Sequence, residues 1–528
     1  MVSGKANGAV AAGHTLTAEA ARGILEDGGN AFDAVLGAAL AACLCEPVFA
    51  SLGGGGYLLA RPAHAKPWFY DFFAHTPRQR LPDDKQDWHQ LQAAGMPPMW
   101  GGLSTIATPG MVAGVFAIHQ DLGRMPVRDV AARALAWAAE GIEVDAFQAR
   151  MLAMVAPSLT LSEDSAAMFT VQQPATTAAD GAPVVGERRP VGEGERIKSW
   201  HFADALEALV LEGPDLFYKG EIGGRLIADC QRDGGHLRRE DLLRYQVDSR
   251  APLECSYAGQ QVWISPPPSL GGLQLAFSLA LLDGSQRRSP GWGSPHHWGT
   301  LAEAFALTSE AALEEPSPFA DQYDRSLLAE STVTLYRERL KNRPTARRGT
   351  THISVIDGAG NVAAMTLSNG EGSGYVIPRT GIMMNNMLGV MDLMPDGVGQ
   401  WQRNSRMATL FAPTLVRHRD GREMALGAGG SSRIRTALAQ VLCNLLDYDL
   451  PLEEAITRPR LHVEGSGDDA RFGCEQDVPD DLRDRWRTPC VWDDLHMYFG
   501  GVHAVERNGR GVFTAVGDPR RNGAEALV

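Results

Sequence analysis

The sequence lacks a long apolar run that could cross a membrane. Its most apolar stretch, Ala34–Cys45, is about a dozen residues long, well short of the roughly 20 that a bilayer-spanning helix needs. We therefore interpret this stretch as a buried helix and expect no membrane association. The chain also begins without an apolar signal core, which predicts a cytoplasmic protein.

The sequence also lacks a surplus of basic residues over acidic ones. The chain has 63 acidic and 49 basic residues and a formal net charge of −14. Such a protein has no broad electrostatic attraction to phosphate backbones or anionic lipid. Basic doublets such as Arg347-Arg348 are typical of a solvated face. We predict no nucleic-acid partner.

Closely spaced cysteines are absent too. The seven cysteines are odd in number and scattered, which argues against a disulfide framework and fits a reducing compartment. No CxxC pair offers a zinc site, and His296-His297 lacks further ligands at metal spacing. The glycine run Gly53–Gly56 lacks the lysine of a phosphate-binding loop. The sequence thus predicts neither a metal nor another cofactor.

What the sequence does contain is a mixture of helices and strands, in a chain long enough for one large or two intimately packed domains. Gly28-Gly29 suits a tight turn between the first two predicted helices. By apolar spacing we predict helices at Ala18–Leu25, Ala31–Cys45, Pro126–Gly141, Phe202–Leu211 and Gly272–Leu282.

A β-hairpin is predicted about two-thirds of the way along the chain. Thr351–Ile356 and Val362–Ser368 are rich in strand formers and flank a turn cluster centred on Ala359. With that centre, Thr350 faces Ser368 across the ladder, at the roughly 5 Å of a cross-strand pair. A slip of one residue would move Ser368 to the other face of the sheet.

Thr350 stands in the stretch "RRGTTH", where its chemistry suggests a nucleophile. An N-terminal threonine carries its own base, because its free α-amine, with a pKa near 8, can take the hydroxyl proton. That amine exists only if the chain is cut before Thr350. Gly349 has no Cβ and tolerates the strained backbone of an internal N-to-O acyl shift. The alternative is that Gly-Thr-Thr simply begins a strand.

Longer motifs favour the nucleophile. "TTHISVIDGAGNVAAMTLSNGEGSG" followed by "GIMMNNM" resembles the start of the small subunit in the γ-glutamyltransferase (γ-glutamyltranspeptidase) family of the Ntn-hydrolase superfamily. "GHTLTAEAARGILEDGGNAFDAV", "PPPSLGGLQL" and "GAGGSSRI" match further blocks in the family's order. The resemblance covers nearly the full length.

The resemblance implies an α+β fold of four layers, αββα, with two stacked, mainly antiparallel sheets between helical layers. It implies one precursor cut into a large subunit, residues 1–349, and a small subunit, residues 350–528. Both subunits would share one interlocked core, and a homodimer of such heterodimers is compatible with it.

The resemblance also implies roles for individual residues. Thr350 matches the nucleophile, and Ser368 matches a second hydroxyl that hydrogen-bonds near the nucleophile's amine. Gly430 and Ser431 fall at the glycines of the oxyanion hole, where backbone N–H groups are the donors, so a serine there keeps its donor. Asn369 matches an asparagine that binds the amino acid end of the substrate.

The γ-glutamyl pocket departs from the family pattern. Phe73 stands where an arginine holds the substrate's α-carboxylate, and Thr409 and Leu410 replace two serines with the same role. Val390 replaces an acidic residue that meets the α-amine. Losing such charge-assisted hydrogen bonds weakens recognition unless other groups replace them.

Three charged residues close by in the sequence are candidates for that replacement, namely Arg78, Arg406 and Asp392. The resemblance implies γ-glutamyl transfer or hydrolysis of glutathione-like substrates, with an acyl-enzyme on Thr350 that passes to water or an amine. One alternative is an acylase of the cephalosporin or N-acyl type, with an apolar pocket that includes Phe73, Leu410 and Val390. The other is an uncleaved pseudoenzyme that binds a small amide or a partner chain.

Overall fold

The structure is a computed structural model that describes residues 1–92, 98–174, 176–177, 183–184, 186–284, 291–314, 328, 350–394, 399–465 and 471–528. Two antiparallel sheets of seven strands each dominate it. Their strands are β1 (Val2–Lys5), β2 (Gly8–Ala12), β3 (Gly55–Arg61), β4 (Trp68–Phe72), β5 (Asp248–Arg250), β6 (Leu253–Tyr257), β7 (Gln260–Ile264), β8 (Thr351–Asp357), β9 (Val362–Ser368), β10 (Thr414–Arg417), β11 (Glu423–Gly429), β12 (Gly501–Arg507), β13 (Val512–Val516) and β14 (Ala524–Leu527).

The helices surround these sheets. They are α1 (Thr15–Glu26), α2 (Ala31–Cys45), α3 (Met111–Leu122), α4 (Val127–Glu140), α5 (Ala146–Met154), α6 (Glu163–Phe169), α7 (Trp200–Glu212), α8 (Asp215–Tyr218), α9 (Glu221–Asp233), α10 (Arg239–Leu243), α11 (Leu270–Leu282), α12 (Pro295–Glu314), α13 (Arg433–Leu446), α14 (Leu452–Thr457) and α15 (Asp480–Arg483). Shorter strands outside the two sheets are His89–Leu91, Met99–Gly101, Ile142–Glu143, Thr170–Gln172, Thr176–Thr177, Pro183–Val184, Arg188–Pro190, Arg196–Ile197, Val376–Ile377, Ile382–Met383, Leu461–Glu464, Arg471–Glu475 and Cys490–Trp492.

The layers follow from the order of the strands and the contacts of the helices. The first sheet runs β1-β13-β12-β11-β10-β7-β6, and the second runs β5-β4-β3-β9-β8-β2-β14. Strands β8 and β9 pack face to face on β11, while α2 covers the outside of β8 and β9 and α13 covers the outside of β11. The arrangement is the predicted α+β sandwich of four layers, αββα.

The first two helices cover the second sheet because of their caps and their small side chains. Asn30 begins α2 with a capping box, in which its side chain accepts from the backbone of Asp33 and the Asp33 carboxylate accepts from Asn30 N–H. Every residue of α2 is buried. Gly28, with φ of 92°, makes the predicted turn before it, in a conformation that suits glycine.

The predicted hairpin and its register are confirmed. Thr351 pairs with Leu367 and Ile356 pairs with Val362, so the turn is centred on Ala359. One step further along this ladder, Thr350 comes opposite Ser368. Odd and even residues of β8 face opposite layers, since successive side chains alternate across a strand.

Both halves of the chain contribute to both sheets. Strands β1, β6 and β7 of the first sheet, and β2 to β5 of the second, precede residue 350, and the remaining strands follow it. Gly349 and the segment before it lie outside the described residues, so the predicted division at Gly349/Thr350 stays a prediction. In the part of the chain that the structure describes, no helix is long and apolar enough to cross a bilayer.

Candidate active site

The candidate site lies between the two sheets, where β8 begins and β11 ends. Thr350 and Ser368 are buried, at 3% and 4% exposure, and line the same small cavity together with Ser431. The cavity has a volume of about 30 Å³, enough for one or two water molecules. The residues predicted to be the nucleophile, its hydroxyl neighbour and part of the oxyanion hole therefore meet in space.

The loop after β11 approaches the candidate nucleophile closely. A Cβ atom on Gly429 would lie 1.9 Å from the carbonyl oxygen of Thr350, so only glycine fits there. Gly430 has a φ of 137° and Ser431 a φ of 54°, and α13 begins two residues later at Arg433. This loop therefore brings backbone N–H groups to the N-terminal end of a helix, where a developing negative charge is stabilised.

The two residues proposed for the oxyanion hole have unpaired backbone donors within the described parts of the chain. The N–H groups of Gly430 and Ser431 have no acceptor there. Unpaired N–H groups beside a nucleophile are the donors that an oxyanion hole needs. The Ser431 hydroxyl instead donates to the carboxylate of Asp392, which also lines the cavity.

Apolar side chains form much of the cavity wall. They are Phe73, Met387, Val390, Leu393, Leu410 and Phe411. The rings of Phe73 and Phe411 pack edge to face, with centroids 5.1 Å apart. Three of the departures from the family pattern, Phe73, Leu410 and Val390, thus face the site, as does Thr409, whose Oγ1 accepts from the Phe411 N–H at 3.3 Å.

A cluster of polar side chains forms hydrogen bonds with the backbone of Phe73. Its backbone N–H donates to Asp71 Oδ1 at 3.0 Å, and its carbonyl oxygen accepts from the Tyr245 hydroxyl at 2.7 Å. Arg406 Nη1 donates to the same carbonyl oxygen. The polar groups of this cluster hydrogen-bond to the backbone of Phe73, whereas the ring of Phe73 lines the cavity.

The two arginines proposed from the sequence are not brought to the cavity wall. Arg406 contacts the Phe73 carbonyl and the Tyr245 hydroxyl, and its Nε lies 3.7 Å from Asp71 Oδ1. Arg78 lies 3.9 Å from Asp241 through its Nε. Among the described residues that line the cavity there is no arginine or lysine, whereas Glu371 and Asp392 are both present.

Asn369 follows Ser368 and is fully buried. Both polar atoms of its side-chain amide are buried without a hydrogen-bond partner in the described regions. Asn369 does not line the cavity wall as it stands. A buried amide without a partner costs stability unless a ligand or a water molecule satisfies it.

His352, two residues after Thr350, is a structural group. Its Nδ1 lies 2.8 Å from Thr366 Oγ1, and its Nε2 lies 3.0 Å from Ser354 Oγ. Burial lowers its pKa well below the usual value, so the ring is neutral. A Cβ on Gly427 would lie 2.2 Å from this ring, which shows how tightly the second sheet packs on the first.

Sequence reasoning missed two residues that contact this region, Gly429 and Glu46. Gly429 belongs to the run "GAGGSSR", and its signal was the second glycine before the serines. Glu46 accepts a hydrogen bond from Thr351 Oγ1 at 2.6 Å. Its signal was a single acidic residue at the end of an apolar stretch, where a buried charge requires a partner.

The fold and the site together indicate an Ntn-hydrolase architecture. The family model for gamma-glutamyltranspeptidase matches residues 17–528, so the chain belongs to the γ-glutamyltranspeptidase family. The predicted membership is confirmed, and the chain is an enzyme of the γ-glutamyltransferase class.

Individual relatives include both hydrolases and acylases. The chain is 29% identical to a glutathione hydrolase proenzyme from Escherichia coli, over 85% of this chain and 79% of the relative. It is 27% identical to the acylase ACY 1 proenzyme of Pseudomonas sp. strain SE83, over 99% of this chain and 93% of the relative. The crystal structure of a cephalosporin acylase from Bacillus halodurans shares the fold, with a TM-score of 0.82 at 23% identity, covering 99% of this chain and 96% of that one.

Proposed function

We propose that this protein is a precursor that cuts itself before Thr350 and then works as an N-terminal-threonine amidohydrolase or acyltransferase. The meeting of Thr350, Ser368 and Ser431 around one cavity carries the proposal. Family membership, and relatives that are named proenzymes, support the cut.

The cut begins with the Thr350 hydroxyl. Its oxygen attacks the carbonyl carbon of Gly349, the peptide C–N bond breaks, and the former amide nitrogen takes up the proton as the α-amine. Water then hydrolyses the resulting ester and releases the Gly349 carboxylate. Residues 1–349 and 350–528 stay together afterwards, because each contributes strands to both sheets.

Turnover uses the same hydroxyl on a substrate amide. The α-amine of Thr350 accepts the hydroxyl proton while the oxygen attacks the amide carbonyl. The oxyanion faces the N–H groups of Gly430 and Ser431, and the amine then returns its proton to the departing nitrogen. The acyl group, now an ester of Thr350, passes to water or to an acceptor amine.

For the acyl group, we favour an apolar chain, which is the acylase alternative. The described cavity wall combines six apolar side chains with the carboxylates of Glu371 and Asp392 and has no arginine or lysine side chain. A γ-glutamyl or glutaryl carboxylate would meet like charges there without a partner, which is unfavourable in a buried site. An apolar chain would bury carbon against carbon, at about 25 cal/mol per Å².

A γ-glutamyl group is the second candidate. Family membership and the relatives named glutathione hydrolases favour it. Glu371 and Asp392 would then pair with the α-ammonium of the donor, and Asn369 with its carboxylate. Arg406 would have to leave the Phe73 carbonyl in order to reach the α-carboxylate.

Intact masses under denaturing conditions test the cut. We expect the wild type to give two fragments that divide between Gly349 and Thr350, and Thr350→Ala to give one uncut chain. A single uncut chain in both proteins would overturn the proposal and support the pseudoenzyme alternative.

Steady-state rates on matched p-nitroanilides decide the acyl group. The panel contains γ-glutamyl, glutaryl, butyryl, hexanoyl and octanoyl donors with the same leaving group. We expect kcat/KM to be highest for an aliphatic donor. Highest activity on the γ-glutamyl donor would establish the second candidate instead.

A further inference from the structure

Thr351 faces away from the cavity and into the helical layer. Its Oγ1 donates to Glu46 Oε2 at 2.6 Å, and the exposures of the two residues are 3% and 1%. Thr350, the preceding residue of the chain, faces the cavity between the sheets. The side chains of the first two residues of the proposed small subunit thus lie on opposite sides of the second sheet.

Glu46 is itself held at a fixed place. It follows the last residue of α2, and its backbone N–H donates to the Ala42 carbonyl at 2.8 Å. Its second carboxylate oxygen, Oε1, accepts from Thr17 Oγ1 of α1 at 2.7 Å. Each carboxylate oxygen therefore has a hydroxyl donor, which offsets part of the cost of burying the group.

The hydrogen bond between Thr351 and Glu46 lies close against the backbone of Gly13. A Cβ on Gly13 would lie 2.5 Å from both Glu46 Oε2 and Thr351 Oγ1. Gly13, which directly follows β2, therefore packs against this hydrogen bond, and Thr351 cannot shift towards it without moving that backbone.

We propose that Glu46 is a positioning residue that holds Thr350 in place through Thr351, an inference that rests on the proposed function. Once the bond before Thr350 is cut, no covalent tether remains on its N-terminal side. The ladder pairs of β8 with β9 begin only at Thr351, so Thr350 lies beyond the last ladder pair. The Glu46 contact then fixes the first paired residue and limits the movement of the Thr350 hydroxyl and amine.

Two valine variants test this, because two threonines donate to the same carboxylate at nearly the same distance. Thr351→Val removes the bond beside Thr350, and Thr17→Val removes the matching bond from α1 together with a 3.2 Å contact between Thr17 Oγ1 and Cys45 Sγ. Both replacements keep the side-chain shape and leave one acceptor oxygen of Glu46 without its donor. A purely structural role for Glu46 predicts equal effects of the two variants on kcat.

We expect Thr351→Val to lower kcat by about 10- to 100-fold with KM within about threefold, because a small misplacement of a reacting group costs this much. Both valine variants should lower the melting temperature, since each leaves an acceptor oxygen of Glu46 without its donor. Thr17→Val should nevertheless keep kcat within about threefold of the wild type. Thr351→Ser, which keeps the hydroxyl, should restore most of the rate. Equal losses of kcat in the two valine variants, or no loss in either, would overturn the inference.

Failure of a variant to fold and failure of the proposed function are distinguished from failure of this inference. If Thr351→Val fails to fold, Glu46→Gln decides, since it weakens the acceptor while preserving shape; a wild-type kcat in that variant would overturn the inference. If the wild type itself stays uncut and inactive on every p-nitroanilide of the panel, the proposed function fails. An active, cut wild type with indistinguishable valine variants rejects only the role of Glu46.

Discussion

The carbonyl oxygen of Thr350 lies so close to Gly429 that a Cβ on residue 429 would come within 1.9 Å of it. Thr350 directly precedes β8 of the second sheet, and Gly429 is the last residue of β11 of the first sheet. Their contact sets the distance between the candidate nucleophile and the loop that carries the oxyanion donors. The absence of a side chain at residue 429 is therefore a requirement of the site.

Gly429→Ala should abolish the cut. The added methyl group cannot be accommodated without moving Thr350 or the loop, and overpacking of this kind costs about 1–3 kcal/mol or more. Intact mass should show one chain, and activity should be lost. Gly224→Ala is the control, because its Cβ meets nothing within 4 Å; it should be cut normally. Normal cutting of Gly429→Ala would contradict the close approach.

Asn369→Leu should separate stability from activity. Because the amide makes no hydrogen bond to the described residues, its loss should leave the free energy of unfolding unchanged or raise it by up to about 1 kcal/mol. If Asn369 binds the substrate, kcat/KM should fall by about 10- to 100-fold.

Asn385→Leu is the matched control for this variant. The amide of Asn385 donates to the carbonyls of Gly53 at 2.8 Å and Ala107 at 3.0 Å. Its loss should destabilise the fold by about 3 kcal/mol, since it leaves buried carbonyls unpaired. Unchanged activity in a stable Asn369→Leu protein would remove Asn369 from the substrate site.

Tyr57→Phe should stabilise the protein. The hydroxyl of Tyr57 is buried with no partner among the residues that the structure describes, while its ring packs on Phe69 with centroids 4.8 Å apart. Removing an unsatisfied hydroxyl should raise the free energy of unfolding by about 1 kcal/mol. Tyr70→Phe should instead lower it by a similar amount, because that hydroxyl donates to Asp121 at 3.1 Å. Chemical denaturation measures both, and a destabilised Tyr57→Phe would reveal a partner for its hydroxyl.

Stability should decline in acid partly because of His503. Burial lowers the pKa of His503 to about 4, and its Nδ1 accepts the Asp518 N–H at 3.2 Å. As the pH falls from 6.5 towards 4, His503 binds a proton in the unfolded chain but stays neutral in the folded chain. Stability is therefore lost in this window. The loss from this group is at most about 3 kcal/mol.

His503→Asn should flatten that decline, since the asparagine oxygen can accept the same N–H without titrating. Denaturation curves at several pH values between 7 and 4.5 measure the difference from the wild type. His201→Asn, at an exposed position, controls for the loss of a histidine. An unchanged slope in His503→Asn would show that other groups cause the acid sensitivity.

Several elements follow directly from local sequence patterns. Apolar spacing predicted α2 with its observed bounds, because helical spacing and small side chains directly after Gly28-Gly29 are a strong local signal. Helix α11 begins two residues before its predicted start, since the Ser269 side chain caps it by accepting from Gly272 N–H at 3.0 Å. Helix α1 begins earlier than predicted because His14, an uncommon N-cap residue, accepts from Leu16 N–H.

The sequence by itself determined the family, the hairpin and its register, because these depend on the order of neighbouring residues and on the turn between two strands. Only the tertiary structure decided which residues surround Thr350. It turned Arg406 towards the Phe73 carbonyl, and it paired Thr351 with Glu46 across 305 residues of chain. Such contacts join segments that meet only when the two sheets and their helices pack, and local spacing carries no information about that meeting.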